Sequence, residues 1–438
     1  GAQGANRLRF TDRFERFTTK APGFAGGYLL SRVAKLAIFG GSPAFSKTSL
    51  TRWPAPEQSH LDALDEVIES GLYHRVNHPI VSKLENRLAT WGQTNARTVG
   101  SGTAALHIAL DYLSQPKGIV AVAALNWPGA VGPISIAGMK QQYLDVSLDT
   151  ACIDETAFKS LEIDSLTAVV VTHLFGNYST VADHLNISSL TSDIPVIHDC
   201  AQALGALPHL SGQSNEWGIA LSGNGSKHLG AGELGILCSG KNVIIDHVDR
   251  VSLSSSARGG ERVFQPNTLS YNYRPNVFSA SIALKRLDTI EHQLAQRRDN
   301  ANYLWHHLSK FPGLLPLFKP HDKRNSFCVL PLRLDPEVLG LTASSQVRDR
   351  IVQALAAECA PVSVWLRRPV WEYVPSSVQP NLQDFPNTQR LLNTMFHISE
   401  VAPPNSQEQM QGIIEAFDKV WSCIDELRPW LLAMENEK

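Results

Sequence analysis

Charged side chains are scarce in this sequence: Asp, Glu, Lys and Arg make up 18% of its 438 residues, while hydrophobic residues reach 43%. The charged share lies below the usual quarter or so and suits a chain with much buried surface. Neither sign is in excess, since 39 Lys and Arg stand against 41 Asp and Glu for a net charge of −2. No global field therefore recruits nucleic acid or an anionic membrane, and there is no polybasic tail. The six cysteines, at positions 152, 200, 238, 328, 359 and 423, include no Cys-x-x-Cys pair. That argues against a zinc site or a dithiol redox motif and suits a reducing cytoplasm. Cys200 reads as a small buried apolar residue. Internal repeats and low-complexity tracts are also missing. One run, residues 118–139, has no charge at all and is long enough on paper for a membrane span. It contains Asn126, Pro128 and Pro133, and prolines interrupt a single helix. The expected arrangement is a buried strand over 121–125, a turn at Trp127-Pro128 and a short helix.

The length accommodates two domains and a large core. From about 98 to 240, apolar runs of strand length, such as 168–172 and 195–199, alternate with helical patterns. That alternation predicts an α/β fold, a mostly parallel sheet with helices on both faces. Beyond a Ser-, Arg- and Gly-rich loop at 251–276, a helical pattern runs through Leu284, Leu287 and Ile290 to Arg297 and Arg298. A strand is expected over 325–334 and a helix over 348–357, together a smaller C-terminal α+β domain. The expected division is an arm at 1–34, a large domain at 35–250, and an interface loop with the small domain at 251–438, the active site lying between the two domains. The arm begins with Gly rather than Met and mixes Arg7, Arg9, Arg13, Arg16 and Lys20 with acids. It reads as a cloning remnant plus a variable arm, since a targeting peptide is poor in acids.

Against this background Lys227 stands out, flanked by small residues in Ser-Gly-Asn-Gly-Ser-Lys-His-Leu-Gly-Ala-Gly-Glu-Leu-Gly and preceded 28 positions earlier by Asp199. A lysine amine to hold an aldehyde and a carboxylate to keep a ring nitrogen protonated are what pyridoxal phosphate requires. Asp199 ends the apolar run Ile-Pro-Val-Ile-His-Asp, which carries its carboxylate to the carboxyl edge of a sheet, where open α/β sheets bind ligands. Upstream, Gly100-Ser101-Gly102-Thr103 enters an apolar helical pattern. A helix start of this kind offers free N–H groups to a phosphate.

Together these segments resemble the pyridoxal-phosphate sugar aminotransferases known as the DegT/DnrJ/StrS family, and the likeness extends from about Leu36 to the end. It includes Gly-Gly-Ser-Pro-Ala and Trp53-Pro54 near the start, then GSGTAALHIAL, Val-Thr-His-Leu-Phe-Gly-Asn, HDCAQALGA and the lysine segment, in that order. The resemblance implies a fold-type I aminotransferase in which Lys227 holds the cofactor as a Schiff base and shuttles the proton. Asp199 is implied to pair with the pyridine nitrogen, and Gln202 to bond the ring oxygen. Gly102, Thr103 and Ser222 are implied to bind the phosphate, and Trp127 to stack on the pyridine face. His173 and Gly176 resemble strand-end residues near the cofactor. Trp127 and His173 each have a second reading as buried core residues. Asn272 resembles an asparagine that reaches the phosphate of a neighbouring subunit, which implies a homodimer with shared sites.

The implied reaction takes an amino group from glutamate or glutamine to a keto group of a sugar, cyclitol or related natural-product precursor. The N-terminal motifs resemble members acting on cyclitols or aminohydroxybenzoate precursors. Three positions depart from the family pattern: Gly223 replaces an aromatic residue, His228 an Asn, and Leu234 a Gly. They motivate two further readings, a reshaped pocket or a second base at His228, and with them an alternative lyase, cyclase or dehydratase. A non-catalytic scaffold on the same fold disagrees with the retention of Lys227, Asp199, Gln202 and Ser222.

Overall fold

The computed structural model describes residues 35–75, 78–114, 118–162, 165–187, 194–252, 255–258, 261–264, 269–375 and 379–433. The arm at 1–34 lies outside the described residues. The main sheet contains β1 (Asn95–Val99), β2 (Ile119–Ala123), β3 (Lys140–Leu144), β4 (Ala168–Thr172), β5 (Val196–Asp199), β6 (Glu216–Ser222) and β7 (Gly235–Ser239). Its seven strands run in the order β1-β7-β6-β5-β4-β2-β3, and β7 alone opposes its neighbours. The strands β2 and β4 are apolar almost throughout, and β5 is buried along its whole length, because helices cover both faces. Val122, Val170, Ile197 and Ala220 pack on one face against Ala105 and Ile108 of the helix Gly102–Leu113. Val171 and Val196 point to the other face, and so do Ile219 and Leu221.

A hairpin of β8 (Ser255–Arg258) and β9 (Glu261–Phe264) follows. A second, antiparallel sheet is built from β10 (Leu314–Pro316), β11 (Leu330–Leu334), β12 (Val362–Ser363) and β13 (Met395–Ile398), in the order β10-β11-β13-β12. Its core is closed by the helices Ile290–Leu308, Ser345–Ala357 and Gln407–Trp421. Leu36 and Phe45 join this C-terminal core, and the carboxylate of Glu358 accepts a hydrogen bond of 2.7 Å from the Ala37 N–H.

The strand expected at 121–125 forms two residues earlier, and the short helix is present at Pro128–Ile136, with Trp127 capping it. Two expectations change. The helical pattern through Leu284 and Ile290 is interrupted by a 3-10 turn at Leu287–Thr289, which separates Val277–Arg286 from Ile290–Leu308. The strand expected from 325 begins only at Leu330. Residues 326–328 instead bond to the 3-10 turn Leu174–Gly176 that follows β4: Ser326 N–H donates to the Gly176 carbonyl at 2.8 Å, and Cys328 N–H to the Phe175 carbonyl at 3.0 Å. Gly176 has φ +94°, and a Cβ there would lie 2.7 Å from the Phe327 nitrogen, so no other residue type permits this approach.

Candidate active site

Parallel register decides which side chains meet. Thr172 pairs with Asp199 and Asp199 with Ala220, so Thr172, Asp199 and Ser222 project from successive strand ends toward the face covered by Gly102–Leu113. The helix Gly102–Leu113 starts at the same edge. Ser101 caps it, its hydroxyl accepting from the Ala104 N–H at 3.1 Å. Gly235, the first residue of β7, presses against this start so closely that a Cβ would sit 2.1 Å from the Ser101 carbonyl. A Cβ on Gly102 would lie 3.2 Å from the Ser222 Cβ. Free N–H groups, two glycines and a serine hydroxyl thus form a cradle of phosphate-binding type.

Asp199 is buried, and burial pushes its carboxyl above the ordinary carboxylate range. Three groups oppose the rise: the Ala201 N–H donating at 3.1 Å, the Lys227 ammonium and the Thr172 hydroxyl. Thr172 is itself fixed by Asn126, whose amide donates to its oxygen at 2.9 Å and whose own oxygen accepts from the Trp127 N–H at 2.8 Å. A relay therefore connects Trp127 to Asp199. Among the described residues Asp199 has no ion-pair partner within 4 Å, so a buried carboxylate is left for a cationic ring N–H.

Trp127 is 56% exposed, which removes its reading as a core tryptophan. It lies beside Thr103: a Cβ on Gly129 would be 2.6 Å from the Thr103 hydroxyl and 3.1 Å from the Trp127 ring. Gln202 is buried, and its oxygen accepts from the Phe175 N–H at 2.7 Å, leaving the amide N–H groups as its remaining donors. Phe175 holds φ at +62°, a conformation costly for a non-glycine residue and fixed here by bonds to both of its backbone groups.

His173 is fully buried behind this edge. Its Nδ1 accepts from the Ser179 N–H at 3.1 Å, so Nε2 carries the proton and faces His198 Nδ1 at 3.3 Å. Burial pulls its pKa down to about 3, and with both nitrogens engaged it fits a packing role at the end of β4 better than a proton-transfer role. Asn272 is exposed at φ +55°, on a loop anchored to the phosphate-type cradle by the Tyr273 carbonyl accepting from Gly100 N–H at 3.0 Å. Its backbone bonds Ser270 and Arg274 within its own loop.

The loop carrying Lys227 is tied from outside the main sheet. The Trp53 indole N–H donates to the Lys227 carbonyl at 2.7 Å. The guanidinium groups of Arg286 and Arg297 lie over the Trp53 ring, 4.6 and 4.7 Å from its centroid. The Lys227 ammonium lies 5.5 Å from the centre of the Trp365 ring. Trp53 was visible in sequence only as half of a Trp-Pro motif. Thr172, Asn126 and Trp365 carried no signal of their own, although the strand-end position of Thr172 was open to register reasoning.

The three departures near Lys227 have packing explanations. A Cβ on Gly223 would lie 2.8 Å from the Leu234 Cβ, so the side chain missing at one position leaves the space filled by the other, and Leu234 is fully buried. His228 is also buried: its Nε2 donates to the Ser326 carbonyl at 3.0 Å, and burial lowers its pKa to about 3. It locks the lysine loop to the 326–328 segment.

A sequence profile of the DegT/DnrJ/EryC1/StrS aminotransferase family matches residues 54–418. The chain is 26% identical to L-glutamine:2-deoxy-scyllo-inosose aminotransferase of Micromonospora echinospora, over 90% of this chain and 99% of the relative. It is 25% identical to L-glutamine:scyllo-inosose aminotransferase of Streptomyces griseus, with the same coverage of 90% and 99%. The crystal structure of 3-amino-5-hydroxybenzoic acid synthase superposes with a TM-score of 0.73 at 21% identity, covering 85% of this chain and 98% of that one. A buried carboxylate with no ion-pair partner within 4 Å among the described residues, a glycine-lined helix start and a nearby lysine suit pyridoxal phosphate, and the chain belongs to the DegT/DnrJ/EryC1/StrS family of pyridoxal-phosphate-dependent aminotransferases.

Proposed function

We propose that this enzyme transfers the amino group of glutamine, or of glutamate, to a ring ketone of a cyclitol or sugar in a natural-product pathway. The observation that carries the reading is Asp199, a buried carboxylate with no ion-pair partner within 4 Å among the described residues, at the sheet edge that also holds Lys227 and the Gly102–Ser222 cradle. When bound, pyridoxal phosphate supplies an electron-withdrawing ring and an aldehyde that carries the amino group between donor and acceptor. Lys227 holds that aldehyde and, once released, moves the proton from the donor's α-carbon and later delivers one to the acceptor carbon. Asp199 keeps the ring nitrogen protonated, and the Thr172 hydroxyl and Ala201 N–H orient it. The helix start at Gly102 and Thr103, with Ser222, holds the phosphate. Trp127 covers one ring face and Gln202 donates to the ring oxygen.

The site lies between the units 35–250 and 251–438, with residues 36–51 crossing over to pack on the latter. The exposed, left-handed Asn272 is read as reaching the phosphate of a second copy, so the working unit is a homodimer. The location is cytoplasmic, a reading supported by six scattered cysteines that are all free; among the described residues no helix is long and apolar enough to cross a membrane. The named relatives point to glutamine as donor and an inosose as acceptor. The elimination or cyclisation alternative rested on Gly223, His228 and Leu234, and their packing roles leave it without a specific support.

The test is the absorption spectrum of the enzyme loaded with pyridoxal phosphate, before and after L-glutamine. Conversion of the yellow form to the amino form of the cofactor, lost in Lys227→Ala, is the expected result. A yellow form that persists with glutamine and with glutamate would overturn the reading.

A further inference from the structure

The wall facing Lys227 is aromatic and comes from the second sheet. Trp365 lies just past the end of β12, after Val364, is half-buried, and has its ring centre 5.5 Å from the Lys227 Nζ. Behind it stands His397 of β13, whose ring centroid is 4.2 Å away, and Phe175 lies 6.1 Å from both rings. The stack is rigid for reasons on both sides. Ser363 pairs with His397 across β12 and β13, and its hydroxyl meets His397 Nε2 at 2.8 Å. Phe175 is held by the Gln202 oxygen on one backbone group and by Cys328 on the other. Burial keeps His397 neutral, with a pKa of about 3, so the stack presents no charge to a ligand. An immobile indole face within reach of the reacting amine is matched by the apolar C–H face of a saturated six-membered ring, because the negative ring face attracts the polarised C–H hydrogens while the ligand's hydroxyls point away.

We propose that Trp365 is a specificity-determining residue that selects the acceptor, its indole face receiving the C–H face of a cyclitol or pyranose ketone as it approaches Lys227. The inference rests on the amino-transfer reading above. The amino-acid donor has no such ring, so the two half-reactions depend on Trp365 differently.

The two half-reactions are separable in single-turnover measurements on the holoenzyme: conversion of the yellow form by L-glutamine, and return from the amino form with 2-deoxy-scyllo-inosose or with pyruvate, a keto acceptor lacking a ring. In Trp365→Ala kcat/KM for the inosose should fall by about tenfold or more relative to the glutamine and pyruvate steps, which share any disturbance of Lys227; about tenfold is the scale of losing one apolar pocket contact. Trp365→Phe, which keeps an aromatic face, should recover most of the loss, and spectral titration with scyllo-inositol should show weakened binding in the Ala variant only. Equal losses in all three steps, or an unchanged inosose step, overturn the role of Trp365 while leaving amino transfer standing. A parent enzyme that glutamine and glutamate cannot convert overturns the amino-transfer reading itself.

Discussion

The seven-stranded sheet brings Thr172, Asp199 and Ser222 to the site on consecutive strand ends, whereas the four-stranded sheet brings Ser363, His397 and Trp365. The first set is polar, with Thr172 and Asp199 joined by hydrogen bonds that begin and end on the backbone, in a chain from the Trp127 N–H through Asn126 and Thr172 to Asp199 and the Ala201 N–H. The second set is aromatic apart from Ser363, uncharged, and held by ring packing and the hydrogen bond between Ser363 and His397. A buried charge demands fixed dipoles around it, since an unsatisfied one costs several kcal/mol. An apolar wall demands only shape. The contrast fits a fixed half that serves the cofactor and a half that reads the acceptor, and each prediction below probes one of them.

Acid should separate the two halves most strongly. His173, His198 and His228 are buried neutral on the main-sheet side and His397 on the other, all with pKa values pushed below 6.5 by burial. A lowered folded-state value means that the unfolded chain binds more protons, so stability is complete above pH 6.5 and falls as the pH drops toward 3. Each histidine contributes up to about 1.4 kcal/mol per pH unit in that window. Urea unfolding at pH 7 and pH 5 should show the loss, with His397→Asn removing one histidine's share of the slope. Equal stability at the two pH values would show that these rings are not neutral and buried in solution.

Asp199→Asn retains the Ala201 N–H bond but removes the charge. Amino transfer should fall by about 10²–10³-fold, the scale for one preorganised electrostatic group. The thermal midpoint should hold or rise, because a charge that burial disfavours is gone. Stopped-flow rates and calorimetry on one preparation read both quantities.

Trp53→Phe leaves a ring for Arg286 and Arg297 but deletes the donor to Lys227, whose carbonyl keeps the Gly230 N–H at 2.9 Å. The expected cost is about 1 kcal/mol, the net worth of one hydrogen bond, seen as a several-fold slower glutamine step. Trp53→Ala should lose global stability as well; if the Phe variant destabilises just as much, the indole N–H is not what positions Lys227.

The smallest effect is expected at Trp127. Because it is exposed, Trp127→Ala should leave stability within about 0.5 kcal/mol. Cofactor affinity should weaken by about 0.5–1.5 kcal/mol, the worth of one aromatic stacking contact. Equilibrium dialysis with pyridoxal phosphate measures it, and an unchanged affinity would remove Trp127 from the cofactor face.

Local pattern determined a good part of this protein. The runs ending at Thr172 and Asp199 are strands because an apolar, β-branched segment of that length is stable only between two covering layers, and Gly-Ser-Gly before an apolar helix is a helix start wherever it folds. Lys227 and Asp199 were readable because few chemistries need that pair. Tertiary structure decided what periodicity does not encode. It spent residues 326–328 on bonds to Phe175, Gly176 and His228 in place of a strand, and set Leu234 into the space beside Gly223. It buried His173 with both ring nitrogens engaged and brought Trp53 and Trp365, 174 residues upstream and 138 downstream in sequence, against the same lysine. Such contacts depend on which distant segments share space, and a close approach between them leaves no mark in the spacing of either one.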